Sequence, residues 1–289
     1  MKKNNTTLLA LLCCAATLSL FSCKKDIGSG VEQQLVNGTP SEDFYTESSA
    51  PVQKRITHSI NASVNGYLEA LPASYSQKPN HKYPLIIFLH GRKGAGDGSF
   101  AELANVEDIS IPYLIKQKKF PKNFIVGENT YQFIVISPQF KRKCWPLSWD
   151  VDDVVDFIIK KYRVDINRIY LCGDSMGGGG VWDYAIDHGK RLAAIAPFAG
   201  ASWPTTDKGK KIAESGVPVW AFHNKSDPDV PAWYSIDYVK YTNKYNPVVT
   251  AKLTLFYNTT VHNCWNTAID PSYKENNKNL YEWMLSHHR

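Results

Sequence analysis

The chain has 289 residues, of which 43% are hydrophobic, 12% aromatic and 21% charged. This excludes a disordered, collagen-like or polytopic membrane protein and suits one large α/β domain or two small ones. The formal charge of +6 has no Lys/Arg cluster, RNA motif or zinc-ligand spacing behind it, which argues against a nucleic-acid partner.

Lys2 and Lys3 precede an apolar run from Leu8 to Phe21. A cationic head followed by a short apolar stretch reads as an export signal. The run is shorter than the roughly 20 residues that span a bilayer, so a transmembrane helix is the weaker reading. Leu20-Phe21-Ser22-Cys23 resembles the lipobox of bacterial lipoproteins, although Phe21 stands where a small residue is usual. The resemblance implies cleavage before Cys23, lipid on its thiol, and an exported, membrane-anchored protein facing the periplasm or the cell surface. Residues 1–22 are therefore expected to be a signal peptide. Residues 23–50, rich in Gly, Ser and charge without a period, are expected to be a lipidated cysteine and a polar tether. Cys13 and Cys14 leave with the signal, so Cys144, Cys172 and Cys264 are the thiols of the body.

From Pro51 the texture changes. Arg55–Ser63 and Gly66–Leu71 alternate around Asn65-Gly66, a hairpin signal. Short apolar runs follow at Leu85–Leu89, Phe133–Ile136, Arg168–Cys172, Ala193–Pro197, Val217–Phe222 and Lys252–Tyr257, as in buried parallel strands. Between and after them lie helical patterns at Ile109–Lys118, Val151–Tyr162, Met176–His188, Ala232–Tyr245 and Lys274–His287. Alternating β and α elements predict an α/β fold, a mostly parallel twisted sheet flanked by helices, over 51–289. In such sheets chemistry collects at the carboxyl ends of the strands.

The motifs fall at those ends. The strand Pro84–Leu89 enters His90-Gly91-Arg92-Lys93-Gly94-Ala95-Gly96-Asp97-Gly98. This loop lacks the G-x-G-x-x-G of dinucleotide sites, and the chain has no phosphate-binding G-x-x-x-x-G-K-[ST], so no cofactor and no metal is called for. Gly173-Asp174-Ser175-Met176-Gly177 matches G-x-S-x-G between a strand and a helix, a turn that exposes Ser175 at the sheet edge. A serine hydroxyl needs a base to take its proton and an acid to orient that base. With this turn the order along the chain is Ser, acid, His. Downstream, the end of the strand Val217–Phe222 leads to Asp227 and the end of the last strand leads to His262. Asp229 competes for the acid role and His223 for the base role, but His223 precedes the acid and closes a strand. It reads as structural. His188, His287 and His288 lie on or near helix ends, and His58 and His81 precede the core. An oxyanion would be met by the backbone N–H groups of Met176 and Arg92, with His90 bracing the loop.

These residues together resemble the α/β-hydrolase superfamily over 52–289. The nearer likeness is to secreted carboxylesterases: feruloyl and acetyl-xylan esterases and polyhydroxybutyrate depolymerase-like proteins, whose relatives are often labelled predicted peptidases. The likeness rests on Tyr83–Gly91, Val164–Tyr170, Gly173–Gly179, Pro218–His223 and Asp227–Pro231. It implies the same triad, Ser175, Asp227 and His262. The departure is His223-Asn224, where relatives usually have His-Gly.

The segment from Ala199 to Val217 is too brief for a lid domain, so an open site suited to esters on a polymer is expected. Phe140, Trp145, Trp149, Trp203, Trp233 and Trp265 fall on loops of the catalytic edge, with Trp145 and Trp265 favoured for substrate. Cys144 and Cys264 follow strand ends there and are a candidate disulfide, whereas Cys172 reads as a buried small hydrophobe. The leading reading is a serine esterase acting on acylated plant-type polysaccharide. A peptidase with the same triad is the alternative, though nothing supplies the extra domain of prolyl oligopeptidases. A non-catalytic glycan-binding lipoprotein is the alternative from another class.

Overall fold

A computed structural model describes residues 45–141, 146–257 and 259–289. Cys23, Cys144 and Trp145 lie outside the described residues, and so do the signal peptide and most of the tether.

Among the described residues the main sheet has eight strands in the order β1-β2-β6-β3-β7-β8-β9-β10. They are β1 (Val52–Ile56), β2 (Val64–Leu71), β3 (Tyr83–Leu89), β6 (Ile134–Phe140), β7 (Val164–Asp174), β8 (Ala194–Phe198), β9 (Trp220–Asn224) and β10 (Lys252–Phe256). From β6 to β10 every neighbouring pair is parallel, while β2 runs antiparallel to both β1 and β6. A separate antiparallel hairpin pairs β4 (Phe124–Val126) with β5 (Asn129–Tyr131).

Alternation along each strand divides the core between the two faces of the sheet. Leu85, Ile87 and Leu89 point to one side, where Val151, Val154, Val155 and Ile158 of α3 (Ser148–Lys161) cover them. The spacing of those four gives α3 one apolar stripe. Ile86 and Phe88 point to the other side, against Ile111 and Ile115 of α2 (Ser110–Lys116) and Tyr281 and Met284 of α8 (Leu280–Leu285). Strands buried on both faces must be apolar throughout, which is why β3 reads as the unbroken run YPLIIFL. The remaining helices are α1 (Ala104–Glu107), α4 (Met176–His188), α5 (Thr206–Ser215), α6 (Trp233–Lys244) and α7 (Trp265–Ala268). None of the described helices is long and apolar enough to cross a membrane.

Three expectations are corrected, at Asn65-Gly66, at the end of the tether and at the start of the last helix. Asn65-Gly66 is no hairpin turn. Residues 57–63 make the connection and Gly66 sits inside β2 at a register shift against β6. A Cβ on Gly66 would come within 2.3 Å of the carbonyl oxygen of Gly98, so this glycine serves close approach. The tether ends before residue 50: the Glu47 carboxylate is buried and accepts the Ser74 N–H at 3.0 Å and its hydroxyl at 2.5 Å. The segment after Ala199 holds α5, capped by the Thr205 side chain at its start and by Gly216 at φ 74° at its end. The last helix starts at Leu280, because Asn276 and Asn277 adopt φ of 52° and 63° and Asn279 with Glu282 forms a capping box.

Candidate active site

Six parallel strands point their carboxyl ends to one edge, and four of those ends supply the site. Strand β7 ends at Asp174, and Ser175 makes the turn into α4 at φ 53°, ψ −112°. That conformation strains a residue with a side chain. It is held by the Ser175 N–H, which donates to Phe198 O at 2.8 Å, and by Ser175 O, which accepts from Gly179 and Ala201 at 3.0 Å each. Gly177 lets α4 close on β3: a Cβ there would lie 2.0 Å from the carbonyl oxygen of Leu89.

Ser175, His262 and Asp227 come together in a hydrogen-bonded line. His262 Nε2 is 2.7 Å from Ser175 Oγ and Nδ1 is 2.7 Å from Asp227 Oδ2. Burial alone would raise the carboxyl pKa of Asp227. Hydrogen bonds from His223, His262 and the backbone amides of Val230 and Asp229 outweigh it and hold the pKa well below the usual carboxylate range. An ionised carboxylate only accepts, so Nδ1 carries the imidazole proton and Nε2 is free to take the proton of Ser175. The two competitors take other places. Asp229 is exposed, and its contribution is a backbone N–H to Asp227 Oδ1 at 2.8 Å. His223 is fully buried and donates through Nε2 to Val230 O at 2.9 Å, so it shapes the acid loop.

Asn224 is the departure from the expected His-Gly, and it has a use: its amide donates to Val261 O at 2.7 Å, joining the end of β9 to the loop that carries His262.

The loop after β3 is braced from three sides. Phe140 N–H donates to His90 Nε2 at 2.9 Å, so Nδ1 is the protonated nitrogen and donates to Gly91 O at 2.8 Å. Burial lowers the His90 pKa to about 4, partly opposed by the bond to Gly91, and the ring is neutral at pH 7. Gln139 donates to Gly94 O at 2.9 Å and accepts the Gly98 N–H at 2.9 Å. Asp174 Oδ1 accepts the Gly91 N–H at 3.1 Å, and a Cβ on Gly91 would lie 2.9 Å from Asp174 Oδ2. Burial raises the Asp174 pKa to about 7, against the lowering by the Gly91 amide. Neither Asp174 nor Gln139 was anticipated. The one sequence signal for Asp174 was a charged residue just after the apolar run Ile169–Cys172.

Ser175, Met176, Gly91 and Arg92 line an open cleft of about 940 Å³. Met176 is the first residue of α4 and Arg92 the first of a single 3₁₀ turn, so neither amide has a helical acceptor, and neither donates to another group among the described residues. The cleft also takes in Trp265, half-buried, with its ring perpendicular to that of His262 at 5.2 Å, and Tyr113 of α2. Of the other edge aromatics, Phe140 is buried in the core, so it meets no substrate. Trp149, Trp203 and Trp233 are exposed. Cys264 is buried, its sulfur 3.5 Å from Phe222 O, and Cys172 is buried within β7. Among the described residues no group of three or more His, Cys, Asp or Glu is placed to hold a metal.

No family model matches the chain. It is 24% identical over 229 residues to a protein of Acanthamoeba polyphaga mimivirus named as an alpha/beta hydrolase, covering 72% of this chain and 79% of that protein. Over 77 residues it is 31% identical to a bifunctional acetylxylan esterase/xylanase of Neocallimastix patriciarum, which is 27% of this chain and 11% of that protein. Among solved structures, a thermostable esterase superposes with a TM-score of 0.58 at 22% identity, covering 83% of this chain and 63% of its own. A ferulic acid esterase gives 0.52 at 18%, covering 75% and 93%. The chain has the α/β-hydrolase fold.

Proposed function

We propose that the protein is a serine carboxylic-ester hydrolase that works through an acyl-enzyme. The observation that carries the reading is the line Asp227–His262–Ser175, with both links at 2.7 Å, opening from a strained turn into the cleft. His262 takes the proton of Ser175 as its oxygen attacks the ester carbonyl, and the tetrahedral oxyanion is met by the amides of Met176 and Arg92. His262 then protonates the leaving alcohol, and water repeats the sequence on the acyl-enzyme while Asp227 holds the imidazole throughout. Each oxyanion donor is worth about 3–4 kcal/mol in the transition state.

The substrate class we infer is an acetyl or feruloyl ester on plant-type polysaccharide. It is supported by the open cleft, by Tyr113 and Trp265 as aromatic walls, and by the likeness to an acetylxylan esterase/xylanase and a ferulic acid esterase. We also read the chain as an exported lipoprotein anchored through Cys23. Metabolic labelling with a fatty acid should tag the wild-type chain and leave Cys23→Ser untagged. The test of the activity is hydrolysis by wild type and Ser175→Ala of acetylated xylan, feruloylated xylan and peptide anilides. Release of acetate or ferulate by wild type alone is expected. Cleavage of the anilides with both esters untouched would assign a peptidase.

A further inference from the structure

Among the described residues the large aromatic side chains divide between core and surface. Trp182 and Trp220 are 0% exposed, whereas Trp203 is 59% exposed and Trp233 38%. Of the three exposed indoles among the described residues, Trp149, Trp203 and Trp233, the last two lie together. Trp203, Trp233 and Tyr234 pack on one another, with centroids 4.9, 5.6 and 4.4 Å apart and planes at 85°, 70° and 69°. Edge-to-face contacts of this kind fix the rings in place while leaving apolar surface in water. A cluster of large apolar side chains kept wet beside polar groups marks a surface that meets a ligand.

The cluster is built on a rigid base. Trp203 O accepts from Lys208 Nζ at 3.0 Å and from Tyr238 OH at 3.3 Å. The preceding residue, Ser202, is fully buried and bonds both Asp183 and Tyr238. Tyr238 in turn stacks on Trp182 at 4.3 Å. Trp233 is the first residue of α6. The cluster is also close along the chain to residues of the cleft. Ala201, Asp229 and Val230 line the cleft that holds Ser175. Trp203 follows Ala201 by two residues and Trp233 follows Val230 by three, spans of at most about 7 and 11 Å.

We propose that Trp203 and Trp233 form a platform for a pyranose ring of a polysaccharide main chain, holding it while an acyl group on the same chain enters the cleft. The class of substrate rests on the esterase reading above. The platform itself rests on the exposed indoles. The C–H face of a pyranose is flat and apolar and its hydroxyls lie at the edge, so an indole covers the face while the exposed Asp229 carboxylate can accept from the edge. Size argues for a sugar over a protein partner. An aromatic side chain buries at most about 250 Å², so covering what these two indoles leave exposed removes roughly 250 Å². That is far below the roughly 800 Å² per partner of a stable protein interface and of the order of one or two sugar rings.

The experiment compares full-length wild type, Ser175→Ala, Trp203→Ala/Trp233→Ala and Trp203→Phe/Trp233→Phe. Binding is read by affinity electrophoresis in soluble, fully deacetylated xylan, which carries no ester. Turnover is read on p-nitrophenyl acetate and on acetylated xylan. Wild type and Ser175→Ala should be retarded equally by xylan, the double alanine variant should migrate freely, and the phenylalanine variant should fall between. The double alanine variant should keep its p-nitrophenyl acetate turnover within twofold and lose about tenfold in kcat/KM on acetylated xylan, since remote binding energy is lost. Equal retardation of wild type and double alanine variant would overturn the proposal. So would an equal loss on both substrates, or a self-association of wild type that disappears in the variant. Xylan retardation that needs the tryptophans, with no ester hydrolysed by wild type, would retain the platform and remove the esterase reading. Ester turnover without xylan retardation of wild type would do the reverse.

Discussion

The side-chain amide of Asn224 donates to the carbonyl oxygen of Val261 at 2.7 Å, so the strand that leads to the acid is tied to the loop that carries the base. Asn224 is fully buried, and His262 follows Val261 directly. Asn224→Ala should therefore loosen His262 relative to Asp227. Steady-state kinetics on p-nitrophenyl acetate should show kcat falling about tenfold with KM little changed, because misplacing a base costs rate before it costs binding. Thermal unfolding should show a loss of about 1 kcal/mol for the missing hydrogen bond.

Asp174 and Gly91 make the corresponding tie on the oxyanion side. Asp174→Asn keeps an oxygen that can accept the Gly91 N–H, so it should retain most activity. Asp174→Ala should lower kcat by about 10²-fold through a displaced Arg92 amide. The folded-state pKa of Asp174 is raised by burial from 3.8 to about 7, so between these values the folded state binds more protons than the unfolded. Its contribution to stability is complete below about pH 4 and is lost as pH rises through about 7. Denaturant unfolding at pH 5 and pH 8 should show wild type losing on the order of 1–3 kcal/mol relative to Asp174→Asn.

Gly177 is a matter of space. A methyl group there would meet the backbone of Leu89 at 2.0 Å, and no side-chain rotation can relieve a clash with backbone. Gly177→Ala should destabilise the fold by more than about 3 kcal/mol, seen as a large drop in the thermal midpoint or as insoluble protein.

What was legible in the sequence has a physical pattern. Ser175, Asp227 and His262 could be found because each follows an apolar strand, and parallel strands bring their ends to one edge whatever the side chains between. Strand β3 and the Ile169–Cys172 part of β7 were legible because burial on both faces demands unbroken apolar runs. Helix α5 was not, because only Gly209, Ile212 and Ala213 of its ten residues are buried and the rest of its pattern is charge. The three-residue strands β4 and β5 are too short to show a period. Asn65-Gly66 was misread because a glycine needed for contact with Gly98 looks, in sequence, like a glycine needed for a turn. Glu47 with Ser74, and Asp174 with Gly91, are contacts between residues far apart in the chain, which a local pattern cannot carry.

Trp265 stands edge-on to His262 in the cleft, where it can touch both the base and an acyl group. Trp265→Ala should raise KM for a feruloyl ester several-fold more than for an acetyl ester, since the larger acyl group loses more contact area. Paired kinetics on methyl ferulate and p-nitrophenyl acetate give the comparison. Equal effects on both would place Trp265 in support of His262 instead.

The central claim is that Ser175 is a nucleophile activated by His262 and Asp227. Its most direct measurement is labelling of the folded protein with a fluorophosphonate, followed by peptide mapping. A single adduct on Ser175 is expected in wild type, with none in Ser175→Ala and a rate reduced about 10³-fold or more in His262→Ala and Asp227→Asn. Folded wild-type protein that takes no label, or takes it at a residue other than Ser175, would contradict the account.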